Sequence, residues 1–320
     1  MKICITGAAG FIGMHLAESL IRDGHNVVSI DSFAPSYMTD ISLRRARHLK
    51  LNFDHDVLEM DISTDRERLL EIFNGCSTVV HLAAWPGVRK SSLVPSLYFK
   101  NNVQTFNNVL EACDAVGVSK LLYASSSSVY GDAARLGPVK ESGIKLSGLK
   151  SYYAATKLIN EIDAAKYPFE RKISILGLRF FTVFGPWGRP DMAYWKFAEQ
   201  IINNQSLTIY GQDGGIRNFT YISDAISILR SLISQDIPHH ISAINIANSE
   251  PTETINLVRA LEARLGIIGK HLIVPRPSMD AEVTWADQQL LKSLVGTLKP
   301  VAFEEGVNNF VDWFIQYRTQ

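Results

Sequence analysis

The chain has 320 residues, of which 46% are apolar and 20% are charged, and its 32 Lys+Arg balance its 32 Asp+Glu. This length suggests about two domains, or one large α/β domain with additions. A net charge of zero provides no long-range attraction for polyanions, so neither nucleic acid nor an acidic membrane surface is an expected partner. The sequence contains no apolar run of the roughly 18 to 20 residues that a membrane-spanning helix needs.

The cysteines Cys4, Cys76 and Cys113 form no CxxC pair. An odd number without that spacing argues against a disulfide framework or a thiolate metal site and favours a reducing compartment. The first residues lack the apolar stretch and the cleavage site of a secretory signal. We therefore expect a cytoplasmic protein without a metal.

Short β-rich segments alternate with amphipathic stretches through the first part of the chain, the pattern of βα units around a parallel sheet. Strands are predicted at Lys2–Thr6, Asn26–Asp31, Leu51–Met60, Thr78–Leu82, Lys120–Ser125 and Ile173–Arg179. Helices are predicted at Phe11–Asp23, Thr64–Phe73, Asn102–Val116 and Tyr152–Lys166. The strands are almost continuously apolar, as in a sheet that helices cover on both faces. The sequence thus predicts an α/β fold with a Rossmann-type doubly wound parallel sheet.

The regular alternation ends after Arg179, where a Gly/Pro-rich segment precedes a predicted helix at Tyr194–Asn204. A further helix at Ile222–Ile233 and a strand at Ala243–Ala247 are expected to return to the sheet. The predicted larger domain therefore consists of residues 1–181 with 222–249, and a smaller C-terminal α/β domain consists of residues 182–221 and 250–320.

The first strand and the first helix are joined by a glycine-rich segment, Gly7-Ala8-Ala9-Gly10-Phe11-Ile12-Gly13. Small residues let the backbone approach a pyrophosphate, whose charge the N–H groups and the positive end of the helix would meet. Asp31 ends the second strand, where a carboxylate can accept both ribose hydroxyls of an adenosine. Its charge would repel a 2′-phosphate, which favours NAD, although Arg44, Arg45 and Arg47 leave NADP open.

Two more segments follow the third and fourth strands, at the edge where a doubly wound sheet binds its ligands. They are Asp61-Ile62 and His81-Leu82-Ala83-Ala84. Asp61 could reach an adenine amino group. His81 is interpreted as structural, because a lone histidine at a strand end is more often hydrogen-bonded within the fold.

Tyr153 and Lys157 lie one turn apart on the same face of a predicted helix. A phenol is a poor base at neutral pH, but an ammonium about 6 Å away at an effective dielectric near 20 favours phenolate by roughly 2.8 kcal/mol, or about two pKa units. Upstream, the fifth strand ends in the serine run Ser125–Ser128. A hydroxyl there can hydrogen-bond the same substrate oxygen that Tyr153 deprotonates.

In order and spacing, these segments resemble the extended short-chain dehydrogenase/reductase family over nearly the full chain. The resemblance implies that Tyr153 is the base, that Lys157 positions the nicotinamide ribose and lowers the tyrosine pKa, and that Ser126 is the catalytic hydroxyl, a role that Ser127 or Ser128 could share. It implies that NAD contacts the glycine-rich segment, Asp31, Asp61, Ile62, Leu82, Ala83, Ala84, Asn102, Tyr153 and Lys157. It also implies a homodimer formed through the helices Asn102–Val116 and Tyr152–Lys166.

Residues 178–193, 217–221 and 87–89 look like the signature segments of UDP-glucuronate 4-epimerases. This likeness implies a UDP-sugar substrate bound by Arg89, Ser127, Ser128, Thr182, Arg189, Arg217 and Arg276. A guanidinium suits such a ligand because it can bind phosphate or carboxylate through two hydrogen bonds. The sequence departs from the epimerase pattern at Thr105, Asn218 and 279–283, which concerns the nucleotide end of the site.

Related dehydratases carry Asp-Glu after the catalytic hydroxyl, and decarboxylating relatives carry a Glu there, because those reactions need a further acid or base. Here Ser127 and Ser128 occupy these places. We therefore expect oxidation and re-reduction at one carbon, which would interconvert UDP-glucuronate and UDP-galacturonate. The alternatives are a 4-epimerase for UDP-glucose or UDP-N-acetylglucosamine, and a noncatalytic NAD-binding sensor.

Overall fold

The computed structural model describes residues 1–35, 39–144, 148–168, 173–248 and 250–319. The strands are β1 (Lys2–Thr6), β2 (Asn26–Asp31), β3 (Val57–Glu59), β4 (Thr78–His81), β5 (Lys120–Ser126), β6 (Ser174–Phe180), β7 (Thr182–Phe184), β8 (Ser206–Tyr210), β9 (Ile216–Tyr221), β10 (Ala243–Ile246), β11 (Pro251–Glu253), β12 (Lys270–Val274) and β13 (Val283–Thr284).

The helices are α1 (Phe11–Arg22), α2 (Thr39–Phe53), α3 (Arg66–Phe73), α4 (Val88–Ser91), α5 (Pro95–Tyr98), α6 (Thr105–Val116), α7 (Tyr152–Lys166), α8 (Ala193–Ile202), α9 (Ile222–Ser234), α10 (Thr254–Leu265), α11 (Gln289–Val295) and α12 (Phe303–Arg318). A π-helical stretch, Phe99–Gln104, leads into α6, and two 3₁₀ helices are present at Ser127–Tyr130 and Ala133–Leu136.

The main sheet has seven strands in the order β10-β6-β5-β4-β1-β2-β3. All of its neighbouring strands are parallel. Thr6 of β1 lies opposite Ile30 on one side and His81 on the other. The strand order reverses between β1 and β4, and ligands of doubly wound folds bind in the crevice at such a reversal. The predicted α/β fold with a doubly wound sheet is confirmed.

Each face of the main sheet is covered by helices. On one face, buried residues of α1 such as Met14 and Leu20 belong to the same apolar cluster as Leu229 of α9. On the other face, Phe73 of α3 and Phe106 of α6 pack in a second cluster. Burial on both faces explains why the strands have few polar residues.

A smaller group of elements surrounds a separate aromatic cluster. β9 pairs with β7, β11 and β13, and β12 pairs with β8. Trp195 of α8 lies edge-on to Phe314 of α12, with ring centroids 5.1 Å apart. Between these elements the chain rejoins the main sheet, where Ala243 of β10 pairs with Gly177 of β6.

The prediction of the third strand was wrong in its first half, because Leu51–Phe53 continue α2 and β3 begins only at Val57. Helix α2 itself was not predicted. Its buried side chains are spaced four residues apart at Ile41, Arg45 and Leu49. Because Arg45 in the middle of this stripe is charged, the sequence does not show the apolar spacing that is typical of an amphipathic helix.

Candidate active site

The turn between β1 and α1 has no room for side chains at its glycines. Gly7 has a φ of +71°, and a Cβ on it would lie 2.7 Å from the backbone nitrogen of Ala83. A Cβ on Gly13 would lie 2.1 Å from the carbonyl oxygen of Gly7. Helix α1 begins after Gly10 without a side-chain cap. The N–H groups of its first turn therefore remain available at the positive end of the helix, an arrangement that fits a pyrophosphate.

Asp31 ends β2 beside this turn. Its Oδ2 accepts a hydrogen bond from the N–H of Ala9 at 3.0 Å, and its Oδ1 accepts one from the N–H of Phe33 at 2.9 Å. Burial raises the pKa of the Asp31 carboxyl, and these two backbone donors act in the opposite direction. Each oxygen has a further lone pair for a ribose hydroxyl. The carboxylate therefore fits the adenosine end of a dinucleotide.

Two of the three nearby arginines, Arg44 and Arg45, are held by other groups of the chain. Arg45 is fully buried. Its guanidinium donates to the carbonyl oxygens of Ala9 at 3.2 Å, Trp187 at 2.6 Å and Gly188 at 2.8 Å. Arg44 is paired with Asp40 at 2.8 Å. These contacts leave Asp31 as the charged group at the end of β2, which agrees with the preference for NAD.

A cavity runs along the carboxyl ends of β1 to β4. Most of the predicted cofactor contacts line it: Gly7, Gly10, Asp31, Asp61, Ile62, Leu82, Ala83 and Ala84. Phe11, Ile12 and Gly13 instead form the first turn of α1 beside it, with Phe11 only 5% exposed. The lining also includes residues that were not predicted: Ser32, Phe33, Ser42, Trp85, Asn101 and Thr105. Of these, Trp85 had a sequence signal, since it directly follows the predicted Leu82–Ala84 contacts.

Asn102 does not present its side chain to the cavity as expected. It is 1% exposed and lies in the π-helical stretch. Its Oδ1 accepts from the N–H of Trp85 at 2.7 Å, and its Nδ2 donates to Trp85 O at 3.1 Å and to Thr156 Oγ1 at 3.1 Å. All of these bonds are internal, so Asn102 shapes the turn after β4 instead of offering a free amide to a cofactor.

His81 is a structural residue. Its Nδ1 lies 2.7 Å from Thr6 Oγ1, and Thr6 Oγ1 also accepts from the N–H of Ala83 at 3.2 Å. Burial lowers the pKa of His81 to about 3, and the nearby Lys157 adds to this. The ring is therefore neutral at physiological pH and fixes the strand end beside the glycine turn.

The structure brings Ser126, Tyr153 and Lys157 together at the carboxyl end of β5. Ser126 caps the 3₁₀ helix that follows β5, and its Oγ accepts from the N–H of Ser128 at 3.1 Å. The side chain of Ser126 is close enough to Tyr153 to act on the pKa of its phenol, which it lowers. Lys157 Nζ lies 6.0 Å from the centroid of the Tyr153 ring and donates to Ala124 O at 2.8 Å.

The source of positive charge near Tyr153 differs from the sequence prediction, in which Lys157 supplied this charge. Burial raises the pKa of the Tyr153 phenol, and the influences that oppose burial are Arg189 and the Ser126 side chain. Burial also lowers the pKa of Lys157 to about 7, while Glu161 acts to raise it. Burial thus weakens the positive charge of Lys157, and Arg189 supplies the nearby positive charge that favours phenolate.

Behind Lys157 lies a buried ion pair between helix α7 and strand β6. Arg179 binds both carboxylate oxygens of Glu161, at 2.9 and 2.7 Å. Ser125 Oγ donates to the same carboxylate at 2.5 Å. Arg179 also donates to the hydroxyl of Tyr130 at 2.8 Å. This network fixes the helix that carries Tyr153 and Lys157 to the end of the sheet, and the sequence analysis did not identify it.

The predicted hydroxyl contacts to the sugar lie at the same end of the sheet. Ser127 and Ser128 open the 3₁₀ helix directly after β5. Thr182 begins β7, two residues beyond Phe180, which pairs with Ser126. Ser126 Oγ donates to Ser128 Oγ at 3.1 Å. The three side chains therefore follow two neighbouring strands of the main sheet.

The predicted anion-binding arginines are all held by partners within the chain. Arg89 is paired with Asp280, Arg189 with Asp191 at 2.6 Å, and Arg276 with Asp213 at 2.9 Å. Arg217 donates to Ala281 O at 2.8 Å and to Glu282 O at 2.9 Å. One guanidinium nitrogen of Arg276 is buried without a hydrogen-bond partner in the described part of the chain. A phosphate oxygen is a fitting acceptor for such a group.

In the part of the chain that the structure describes, no three His, Cys, Asp or Glu side chains come together in a cluster able to hold a metal ion. No helix in this part is long and apolar enough to cross a membrane.

The doubly wound sheet, the glycine turn and the Ser-Tyr-Lys group together define a dinucleotide-dependent enzyme of the short-chain dehydrogenase/reductase type. A model of the NAD dependent epimerase/dehydratase family matches residues 3–247. The chain belongs to this family, as the resemblance of its motifs predicted, and the expected cofactor, NAD, agrees with it.

Relatives and solved structures match over almost the whole chain. A probable UDP-glucuronate 4-epimerase of Rhizobium meliloti is 34% identical over 99% of this chain and 97% of its own length. UDP-glucuronate 4-epimerase 4 of Arabidopsis thaliana is 36% identical over 99% of this chain and 76% of its own length. A crystal structure of UDP-glucuronic acid 4-epimerase from Bacillus cereus, in complex with UDP-glucuronic acid and NAD, superposes with a TM-score of 0.91 at 32% identity and covers 99% of this chain and 100% of that one.

Proposed function

We propose that this protein is an NAD-dependent 4-epimerase of UDP-sugars and that it interconverts UDP-glucuronate and UDP-galacturonate. The observation that carries the proposal is the group formed by Ser126, Tyr153 and Lys157, which is followed at positions 127 and 128 by serines instead of acids. The similarity to UDP-glucuronate 4-epimerases over nearly the full chain supports the same substrate.

NAD, when bound, supplies reversible hydride transfer at the sugar C4, so that the sugar passes through a 4-keto form. Tyr153 takes the proton of the C4 hydroxyl and later returns it to the same oxygen. The hydroxyl of Ser126, which acts on the pKa of Tyr153, orients this oxygen toward the phenol. The positive charge of Arg189 favours phenolate and opposes the effect of burial.

Lys157 has two tasks in this scheme. Its Nζ is held by Ala124 O, 2.8 Å away, at the end of β5, where it can bind the ribose next to the nicotinamide. Its pKa of about 7 lets it gain or lose a proton easily at neutral pH. Lys157 can therefore add positive charge beside Tyr153 when the phenol ionises.

The remaining substrate contacts follow from the position of their side chains. Arg189, Arg217 and Arg276 are proposed to bind the diphosphate, with the unpartnered nitrogen of Arg276 as a ready donor. Ser127, Ser128 and Thr182 are proposed to bind the carboxylate at C5. A 4-ketouronate is a β-keto acid and loses CO₂ easily, so these hydroxyls would also hold the carboxylate in a geometry that disfavours decarboxylation.

The test is product analysis by NMR after the purified protein is incubated with UDP-glucuronate without added NAD. We expect UDP-galacturonate, because the cofactor should stay bound between turnovers. UDP-glucose is the matched control substrate, since it differs only in carrying a hydroxymethyl group in place of the carboxylate. Faster conversion of UDP-glucose would assign the protein to the alternative epimerases, and no conversion of either sugar would refute the proposal.

A deuterium label at C4 tests the hydride step separately. If the same hydride leaves and returns, the deuterium remains in the product. Loss of the label to solvent would exclude transfer to a bound nicotinamide.

We propose on the same basis that the two parts of the chain bind different ligands. Residues 1–181 with 222–249 would hold NAD, because the cavity behind the glycine turn lies wholly within them. Residues 182–221 and 250–320 would bind the nucleotide sugar, because they carry Arg189, Arg217 and Arg276.

A homodimer through the α6 and α7 helices is also proposed. Ile162 of α7 is 47% exposed, and Phe99, just before α6, is 42% exposed. Burying such side chains against a second copy would remove apolar surface from water. Light scattering should show a dimer that Ile162→Glu dissociates, whereas Leu136→Glu, which also charges an exposed apolar residue, should leave the dimer intact. A monomeric wild-type protein would exclude this interface.

A cytoplasmic location is proposed from the cysteines. Cys4, Cys76 and Cys113 are all free thiols and buried. Free thiols without disulfides are typical of reducing compartments.

A further inference from the structure

Basic side chains near the proposed nucleotide site are neutralised by carboxylates of the same chain. The pairs are Arg89–Asp280, Arg135–Glu282 at 2.9 Å, Lys150–Asp132 at 2.5 Å and Arg276–Asp213 at 2.9 Å. A single cavity is lined by Arg135, Lys150 and Arg276 together with Asp213, Asp280 and Glu282. This lining has as many carboxylates as basic groups, so a diphosphate that enters meets repulsion as well as attraction.

The carboxylate of Asp280 binds Arg89 in the way that a bound phosphate or carboxylate ligand would. Asp280 contacts Arg89 through both carboxylate oxygens, with Arg89 Nε 3.3 Å from Oδ1. The guanidinium carbon of Arg89 lies 4.5 Å from the ring centroid of Tyr210, and its Nη1 donates to the Tyr210 hydroxyl at 3.1 Å. The arginine thus contacts the Tyr210 ring while its Nε and Nη2 bind a carboxylate.

Asp280 lines the cavity, whereas Arg89 is joined to it by hydrogen bonds and is not among the lining residues. The side chain of Arg89 is 48% exposed. The side chain of Asp280 is 19% exposed. Asp280 also belongs to the segment 279–283, where this sequence departs from the epimerase pattern, and the next two carbonyls of that segment bind Arg217. Release of Asp280 would therefore free the Arg89 guanidinium to bind an anion in the cavity.

We propose that Asp280 is an internal competitor for the diphosphate of the nucleotide substrate: it occupies Arg89 until the diphosphate displaces it, and thereby weakens the affinity for UDP. The inference rests on the proposed UDP-sugar substrate. The paired N–H groups on one edge of a guanidinium can bind one carboxylate or one phosphate at a time. The Asp280 carboxylate and the diphosphate therefore compete for Arg89. Asp280 sets the nucleotide affinity without touching the reacting atoms.

Calorimetric titration of the purified holoprotein with UDP alone tests the inference. In Asp280→Asn the side chain keeps its size and the arginine is released, so UDP should bind about twofold to fivefold more tightly, the range that one exposed ion pair can account for. The KM for UDP-glucuronate should fall by the same factor without a rise in kcat. The double variant R89Q/D280N should bind UDP less tightly than D280N, because the gain depends on the released guanidinium.

Asp312→Asn is the matched control. Asp312 forms an exposed pair with Arg264, between α12 and α10 and outside the cavity. The Asp312→Asn variant should leave the UDP affinity unchanged, and thermal unfolding should show that all variants are folded. Wild-type protein that binds UDP as tightly as D280N, or more tightly, would overturn the inference and leave the proposed function intact. No binding of UDP to any variant would overturn both.

Discussion

Ser91 holds the backbone of Tyr153 in place. Its Oγ accepts a hydrogen bond from the N–H of Tyr153 at 3.0 Å and donates one to the carbonyl oxygen of Val88 at 2.6 Å. Ser91 is fully buried. The short helix α4, which follows the cofactor-binding loop after β4, is therefore bonded directly to the first turn of the helix that carries the proposed base.

Replacement of Ser91 by alanine should lower both activity and stability. The Tyr153 N–H would be left without its acceptor in a buried position, which costs about 1 to 3 kcal/mol. Urea unfolding should show this loss, and kcat should fall while the bound NAD is retained. Ser227→Ala removes a hydroxyl bonded to a carbonyl on the exposed side of α9 and should change neither quantity. An unchanged kcat in Ser91→Ala would show that this contact does not position the phenol.

Tyr153→Phe should abolish proton transfer and leave the fold intact. The loss of a general acid–base group lowers kcat by about 10² to 10⁴-fold. The variant should still bind UDP and retain NAD, because the phenol oxygen takes no part in the glycine turn. Tyr152→Phe, at the adjacent position of the same helix, is the control and should keep full activity. A fully active Tyr153→Phe would refute the assignment of the base.

Gly13→Ala should prevent NAD binding. The added Cβ would lie 2.1 Å from the carbonyl oxygen of Gly7, so the turn must open. We expect purified Gly13→Ala to contain no NAD when its absorbance and its extracted nucleotides are measured. Gly148→Ala is the control, because its Cβ would meet its nearest atom, Tyr130 O, at 3.9 Å. A Gly13→Ala protein with a full complement of NAD would show that the cofactor binds elsewhere.

Two histidines with lowered pKa values should make the protein sensitive to mild acid. Burial lowers the pKa of His15 from 6.5 to about 4 and that of His81 from 6.5 to about 3. Between pH 6.5 and 5 the unfolded chain therefore binds more protons than the folded one, and the free energy of unfolding falls as the pH falls. The slope approaches about 1.4 kcal/mol per pH unit for each histidine.

Urea unfolding of wild type and His15→Gln at several pH values in this interval measures the effect. His15→Gln can still donate to Pro186 O, which His15 Nε2 contacts at 3.0 Å, and should show a shallower slope. His240→Gln replaces an exposed histidine and should follow the wild type. Equal slopes in all three proteins would contradict the prediction.

The proximity of Ser126, Tyr153 and Lys157 could be predicted from sequence, whereas their catalytic roles stay a prediction. Tyr153 and Lys157 share one helix, and the end of β5 places Ser126 beside them, so spacing along the chain sufficed. The glycine turn is local in the same way. Helix α2 could not be predicted, because Arg45 occupies a position where a helix of this kind usually buries an apolar side chain.

The partners of the charged side chains could not be predicted either. The pair between Arg89 and Asp280 joins residues 191 positions apart, and the internal bonds of Asn102 depend on the π-helical stretch that contains it. Such contacts depend on tertiary structure that no pattern within a short window records. The sequence therefore predicted which residues lie near the site. It did not predict the hydrogen-bond and ion-pair partners of these residues, which determine what each side chain can bind.

Arg45 also limits how the coenzyme preference of this protein could be redesigned. Converting an NAD enzyme to NADP normally means removing the acidic residue at the end of the second strand and recruiting a nearby arginine. Here the buried arginine already satisfies three backbone carbonyls, from the glycine turn and from the segment before Arg189. Redirecting it would leave those carbonyls unsatisfied, so an engineer would have to begin from the exposed Arg47 and leave Arg45 untouched.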